Sequence, residues 1–201
     1  MGVAVLTVDQ RHSRTSADRV PATIAALSGL PTLAPFERTA GDEFQGVLDD
    51  PAALPRAVEL LLREDAWNIG IGIGAVELPV PAEARAGRGA AYLHARSAVT
   101  SAKNSPWHLR VDGDHPDARA LETTLWLWAA VLARRTERGW QVADLVEQGL
   151  SYEEAGRRLG ITQSAVSQRA QAAGIVESRR ARELATRLTS TLLAAAGVEV
   201  A

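Results

Sequence analysis

From Gly70 to Gly74 every second residue is a glycine, alternating with Ile69, Ile71 and Ile73 inside the run Trp67 to Val76. That period of two predicts a β-strand. From Ile69 to Gly74 one face carries isoleucines and the other carries no side chains. A bare strand face is expected where a helix or a ligand approaches the sheet closely. The remaining elements have to be arranged around that constraint.

Val3 to Val8 is a short aliphatic run ending in Asp9, which suits a strand buried on both faces. Ser16 is placed to cap a helix running through Leu27. Thr32 to Thr39 and Phe44 to Leu48 read as two strands joined by a turn at Ala40-Gly41-Asp42-Glu43. Asp50 as cap and Pro51 as first residue open a helix whose apolar face uses Ala53, Val58, Leu61 and Leu62. Pro79 to Gly89 reads as a loop, Ala90 to Ala102 as a helix and Trp107 to Val111 as a strand. The order β-α-β-β-α-β-α-β predicts an α+β domain over residues 1–112, with helices on one side of a mostly antiparallel sheet.

Beyond a turn at Asp112 to Pro116 the pattern is helical throughout. A connecting helix from Asp117 into Arg135, in the segment 113–136, carries Leu121, Leu125, Trp126, Leu127, Trp128 and Leu132. These point several ways round the helix, so it is expected between domains or at a dimer interface. Residues 137–201 form an all-α unit with helices at Trp140 to Glu147 and about Arg179 to Ala195, the latter amphipathic and suited to assembly.

A chain of 201 residues, 46% apolar, has room for one large or two modest domains. With no cysteine it has neither a disulfide nor a thiolate nucleophile. The longest apolar run, Leu125 to Ala133, is far short of the roughly 20 residues that span a bilayer. The opening residues lack a basic n-region and reach Asp9 too soon for a signal peptide, so a cytoplasmic protein is expected. The net charge of -2 excludes a uniformly basic coat, yet Arg134 to Arg187 holds ten arginines against seven acids.

Within that basic third, Ser151 to Ala170 shows ordered signals. Gly156 is small enough to let two helices cross closely. Gly160 suits a left-handed turn, and Thr162 caps a second helix. Val166 and Ala170 share that helix's inward face, while Gln163, Ser164, Ser167, Gln168 and Gln171 face outward. Glutamine can bond adenine bidentately and serine can meet either kind of groove-edge group. Arg157, Arg158 and Arg169 are candidates for phosphate contact, Arg169 also for a guanine. This stretch resembles the helix-turn-helix of bacterial regulators and sigma-factor promoter readers, which implies double-stranded DNA as partner and a homodimer spanning two half-sites. A plain helical hairpin or a protein-binding module would use the same apolar spacing.

In the N-terminal domain, Arg38-Thr-Ala-Gly-Asp-Glu-Phe44 is similar to the hairpin of the GGDEF diguanylate cyclases. Ala95 to Lys103, ending in the only lysine of the chain, is similar to that family's later helix. These segments and the strand order look like the palm domain shared by those enzymes, class III cyclases and polymerases. A closer resemblance is to the bacterial SatD family, through Asp9, Ser13 and Arg14 and through Gly41-Asp-Glu-Phe-Gln45. It covers roughly residues 1 to 112 and implies a ferredoxin-like βαββαβ sheet that binds a nucleotide with Mg²⁺. Carboxylates on neighbouring strands can hold a metal that clamps attacking and leaving oxygens. By resemblance Asp9 and Asp42 are metal ligands, and Glu43 is a ligand or catalytic base. Gly41 lets backbone amides approach, and Ser13, Arg14 and Lys103 contact phosphate. Ala40 in place of the first hairpin glycine, and Gln10-Arg11-His12 after Asp9, depart from the diguanylate cyclase pattern. A ligand-sensing regulator is therefore expected ahead of a metal-dependent cyclase or nucleotidyltransferase, or an adaptor that has lost both ligands. His12 and His94 read as polar residues without a metal.

Overall fold

The computed structural model describes residues 1–79, 81 and 83–198; Val80 and Ala82 of the expected loop, and residues 199–201, lie outside them. Strands β1 (Gly2–Gln10), β2 (Ala34–Ala40), β3 (Glu43–Leu48), β4 (Trp67–Ala75) and β5 (Leu109–Asp112) form one sheet in the order β2-β3-β1-β4-β5. The first four pair antiparallel, with β1 between β3 and β4; β5 lies parallel to β4. Helices are α1 (Val20–Leu27), α2 (Ala53–Glu64), α3 (Ala90–Ala102), α4 (Asp117–Leu132), α5 (Glu137–Glu147), α6 (Tyr152–Leu159), α7 (Gln163–Ala172) and α8 (Ile175–Val198). The class is α+β with a mixed sheet.

Helices cover both sheet faces, not one. Leu6 and Val8 share a face with Phe44, Leu48 and the three isoleucines of β4, under α1, α2, α4 and α8. Val3, Val5 and Val47 line the opposite face beneath Ala91 and Ala95 of α3. Parallel pairing of β4 with β5 requires a crossover, and α3 supplies it. It lands on the glycine stripe. A Cβ on Gly72 would sit 2.1 Å from the Ala91 carbonyl oxygen, and one on Gly70 2.2 Å from the Val99 nitrogen. Bare glycine and small alanine together bring helix backbone onto sheet backbone.

Two helix starts shift for identifiable reasons. The Ser16 hydroxyl donates to the His12 carbonyl and accepts from Gln10 Nε2, so it caps nothing; the Val20 amide donates to Asp18 instead, and α1 begins there. Asp50 accepts from the Ala52 amide at 2.8 Å, leaving Pro51 in a turn ahead of α2. On the strand side, Trp107 and His108 take left-handed φ values of 58° and 50° in a short turn, which delays β5 to Leu109.

The larger correction concerns α4 and α8. Leu121, Leu125, Trp128 and Leu132 of α4 and Ala185, Leu192 and Leu193 of α8 belong to the same core as β1 and β4. The Leu193 carbonyl would lie 2.0 Å from a Cβ on Gly2, and Trp128 Nε1 donates to Ser178 at 3.0 Å. The C-terminal helix therefore belongs to the sheet body, not to a unit spanning 137–201. Most of the apolar face expected between domains or at a dimer interface packs within one chain; Leu127 of α4 stays exposed.

Helices α5, α6 and α7 form a separate small core around Val142, Ala155, Val166 and Ala170, inserted between α4 and α8. Charge ties this unit to the body. Arg63 of α2 donates twice to Asp144 of α5, at 2.7 and 2.9 Å. Arg182 of α8 bridges Glu147 and Glu59. Arg135, almost fully buried, reaches Glu59, Ser178 and the Ala173 carbonyl. Trp140 carries the guanidiniums of Arg63 and Arg135 at 4.4 and 4.3 Å from its ring centroid. Burial lowers the Arg135 pKa against the pull of Glu59. Among the described residues no helix is long and apolar enough to cross a membrane.

Candidate functional site

Two regions hold the residues singled out by the sequence. The first is the end of the sheet beneath the C-terminus of α3. Alternation along β1 puts Val3, Val5, Thr7 and Asp9 on the α3 side, and the register pairs Asp9 with Glu43 on β3 and with Asn68 on β4. Direct cross-strand partners have Cβ atoms roughly 5 Å apart, so two carboxylates and an amide converge. Lys103 closes α3 above them. Its Nζ lies 3.4 Å from Asp9 Oδ2, which also accepts from Asn68 Nδ2 at 2.9 Å. Glu43 Oε1 accepts from Thr39 at 2.8 Å and lies 3.7 Å from the Arg96 guanidinium. Beneath, Gln45 Nε2 donates to the buried Thr7 hydroxyl at 2.7 Å.

The carboxylates are largely covered while the cations reach solvent: side-chain exposure is 17% for Asp9 and 18% for Glu43, against 55% for Lys103 and 67% for Arg96. Each acid is already compensated by one cation from α3. A divalent ion at Asp9 and Glu43 would have to displace Lys103 and Arg96, freeing both for phosphate oxygens. Mg²⁺ is commonly held by one or two carboxylates together with substrate phosphates, and this donor pair fits that mode.

The expected triad does not assemble. Among the described residues no three His, Cys, Asp or Glu side chains are grouped to hold a metal ion. Asp42 stands in the turn between β2 and β3, where its carbonyl accepts from the Gln10 amide at 3.0 Å, outside the cross-strand pairing that joins Asp9 to Glu43. Gly41 in the same turn has φ +52°, and a Cβ there would meet open space, so left-handed geometry calls for the glycine. Ser13 and Arg14 lie in the turn after β1. Among the described residues, its hydrogen bonds run through Gln10, His12, Thr15 and Ser16 and not through them. His12 serves that turn with φ +56°. His94 lies between Asp112 and Asp114, at 3.6 and 3.3 Å.

Asn68, Arg96 and Thr39 escaped the sequence reading. Strand parity could have found Asn68, because it occupies the position two before Gly70 and so shares the glycine face. Thr39 reaches Glu43 across the β2–β3 hairpin, four residues away, whereas Arg96 depends on α3 crossing that face, which no local spacing announces. Nearby, burial lowers the pKa of His108, aided by the charge of Arg11.

The second region is the outward surface of the three-helix unit. Ser151 and Glu154 exchange hydrogen bonds in a capping box that starts α6, and the Ser151 hydroxyl and amide hold the Glu154 carboxyl below its ordinary range. Gly160 ends α6 at φ +66°. A Cβ on Gly156 would sit 2.8 Å from the Ile161 carbonyl, which shows how closely the turn folds over α6. Thr162 accepts from the Ala165 amide at 3.2 Å and so caps α7. Val166 and Ala170 point into the small core. Thr162, Gln163, Ser164, Ser167, Gln168 and Gln171 are exposed. Of this third's arginines, Arg135, Arg180 and Arg182 form ion pairs; among the described residues Arg157, Arg158 and Arg169 are left without one.

No protein-family model matches this chain, and neither a curated protein nor a solved structure does.

Proposed function

We propose that the protein is a DNA-binding transcription regulator whose sheet domain senses a nucleotide or another phosphate ligand. The observation that carries this reading is the outward face of α7. Its amides and hydroxyls (Gln163, Ser164, Ser167, Gln168 and Gln171) are exposed on a helix capped by Thr162 and seated on the small core through Val166 and Ala170. Arg157 and Arg158 of α6 and Arg169 of α7, without an acidic partner among the described residues, stand near this face. A short helix with polar side chains outward and cations at its edges suits base-edge contacts in a major groove with phosphate contacts alongside. On this reading α6–turn–α7 is a helix-turn-helix with α7 as its recognition helix. A homodimer would place two such helices one turn of DNA apart.

Support for the sensing half comes from the sheet. The four antiparallel strands interleave in the ferredoxin-like order expected of a palm, and Lys103 and Arg96 present exposed cations above two carboxylates. The Asp9, Ser13, Arg14 and Gly41-to-Gln45 matches favour a place in the SatD family.

Binding-site selection from a random duplex pool tests the DNA reading. The double variant Gln163→Ala, Gln168→Ala should lose sequence preference while keeping salt-sensitive, non-specific affinity. Selection of the same sites by that variant would remove α7 from the recognition role.

The juxtaposition of Asp9 and Glu43 favours one second reading, a Mg²⁺-dependent nucleotide cyclase or nucleotidyltransferase with Glu43 as base. Incubation with each nucleoside triphosphate and Mg²⁺ or Mn²⁺ separates the two. Product formation identifies an enzyme; thermal protection without product identifies a sensor.

A further inference from the structure

Where the three-helix unit meets the sheet body there is a cleft of about 530 Å³ between α2, α5 and α8, within the size range of small-molecule sites. We propose that it binds a small anion with an apolar body, such as a phosphate monoester or carboxylate of an aromatic or aliphatic group. The proposal rests on the cleft alone and not on the DNA reading.

Charge decides the sign of the ligand. Five arginines and three acids line the cleft. Arg63, Arg135 and Arg182 are paired with Asp144, Glu59 and Glu147. Among the described residues, Arg56 and Arg179 have no acidic partner and are exposed, so two positive charges remain uncompensated at its rim. The Arg182 Nε–H is also buried without an acceptor among the described residues, although Glu59 and Glu147 occupy the rest of that guanidinium. A buried donor left unpaired is costly, but this nitrogen is closed to solvent and gives a ligand no contact as the side chain stands, so the anion's charge partners are Arg56 and Arg179.

Shape decides the rest. Leu30, Leu60, Val146 and Ile175 supply an apolar wall. Trp140 adds little free surface, since its ring already carries Arg63 and Arg135. An anion without an apolar body would leave that wall wet, and an apolar molecule without charge would leave the arginines uncompensated.

Isothermal titration of the full chain with phenyl phosphate, inorganic phosphate and phenol tests this. Phenyl phosphate should bind saturably at low millimolar concentration and more tightly than either fragment. Arg56→Ala with Arg179→Ala, both exposed and outside the ion-pair network, should weaken it by about ten-fold or more with an unchanged unfolding midpoint. Three results would overturn the proposal: no saturable binding of phenyl phosphate, equal affinity in the double arginine variant, or loss of the heat on Lys103→Ala instead, which would move the ligand to the sheet-end site.

Discussion

Lys103 Nζ and Asp9 Oδ2 stand 3.4 Å apart, joining the last turn of α3 to the end of the central strand. The relationship exists because the glycine stripe of β4 lets α3 descend onto the sheet and end above Asp9. Asn68 shares the same carboxylate oxygen. A cation and a carboxamide thus hold one acid beside a second, Glu43.

Lys103→Ala separates structure from ligand binding. The ammonium is half-exposed, and such a pair contributes about 0–1 kcal/mol, so denaturant unfolding should change by no more than that. If the sheet end holds phosphate, the thermal protection given by a nucleoside triphosphate with Mg²⁺ should fall sharply in the same variant. Full protection without Lys103 would place the phosphate elsewhere.

Gly72→Ala should destabilise the protein by about 1–3 kcal/mol or more, as overpacking does, because its methyl would meet the backbone of α3 at 2.1 Å. Gly41→Ala meets no atom and should cost only the left-handed backbone penalty, about 1–2 kcal/mol. Urea midpoints of the two variants, with unchanged m-values, measure the difference.

His108 gives stability a pH dependence of known sign. Burial holds its folded pKa below the ordinary 6.5. Above 6.5 both folded and unfolded chains carry it neutral, and its contribution is complete. As pH falls below 6.5 the unfolded chain takes up the proton first, so stability declines until the folded pKa is reached. Unfolding curves between neutral pH and the carboxylate range should show this slope, and His108→Gln should flatten it.

Arg157→Ala and Arg158→Ala test the flank of the proposed reader. If each contacts a phosphate, each should weaken specific and non-specific DNA alike and reduce the salt slope by about 1. Fluorescence anisotropy across a salt series measures both. An unchanged slope would leave these arginines as solvated surface.

The small core around Val166 was legible because its signals are local. Gly160, Thr162 and the Val166–Ala170 spacing lie within eleven consecutive residues, and the structure places each in the expected position. The succession of strands and helices along residues 1–112 was readable for the same reason. Asp42 illustrates the limit: a carboxylate beside Glu43 in the chain falls in a turn, outside the register that pairs Glu43 with Asp9.

By itself the sequence determined which segments become strands and helices, and that β4 must have a close neighbour on its glycine face. Alternation and helical spacing are properties of consecutive residues, so they survive without knowledge of the fold. Only the tertiary structure decided what covers each face. The apolar stripe of α8 would read identically against a second copy; it packs on β1 and α4 of its own chain because Gly2 admits its backbone. Asp9 meets Lys103 for the same kind of reason: register and helix crossing, set by long-range packing, bring together charges that no spacing along the chain relates.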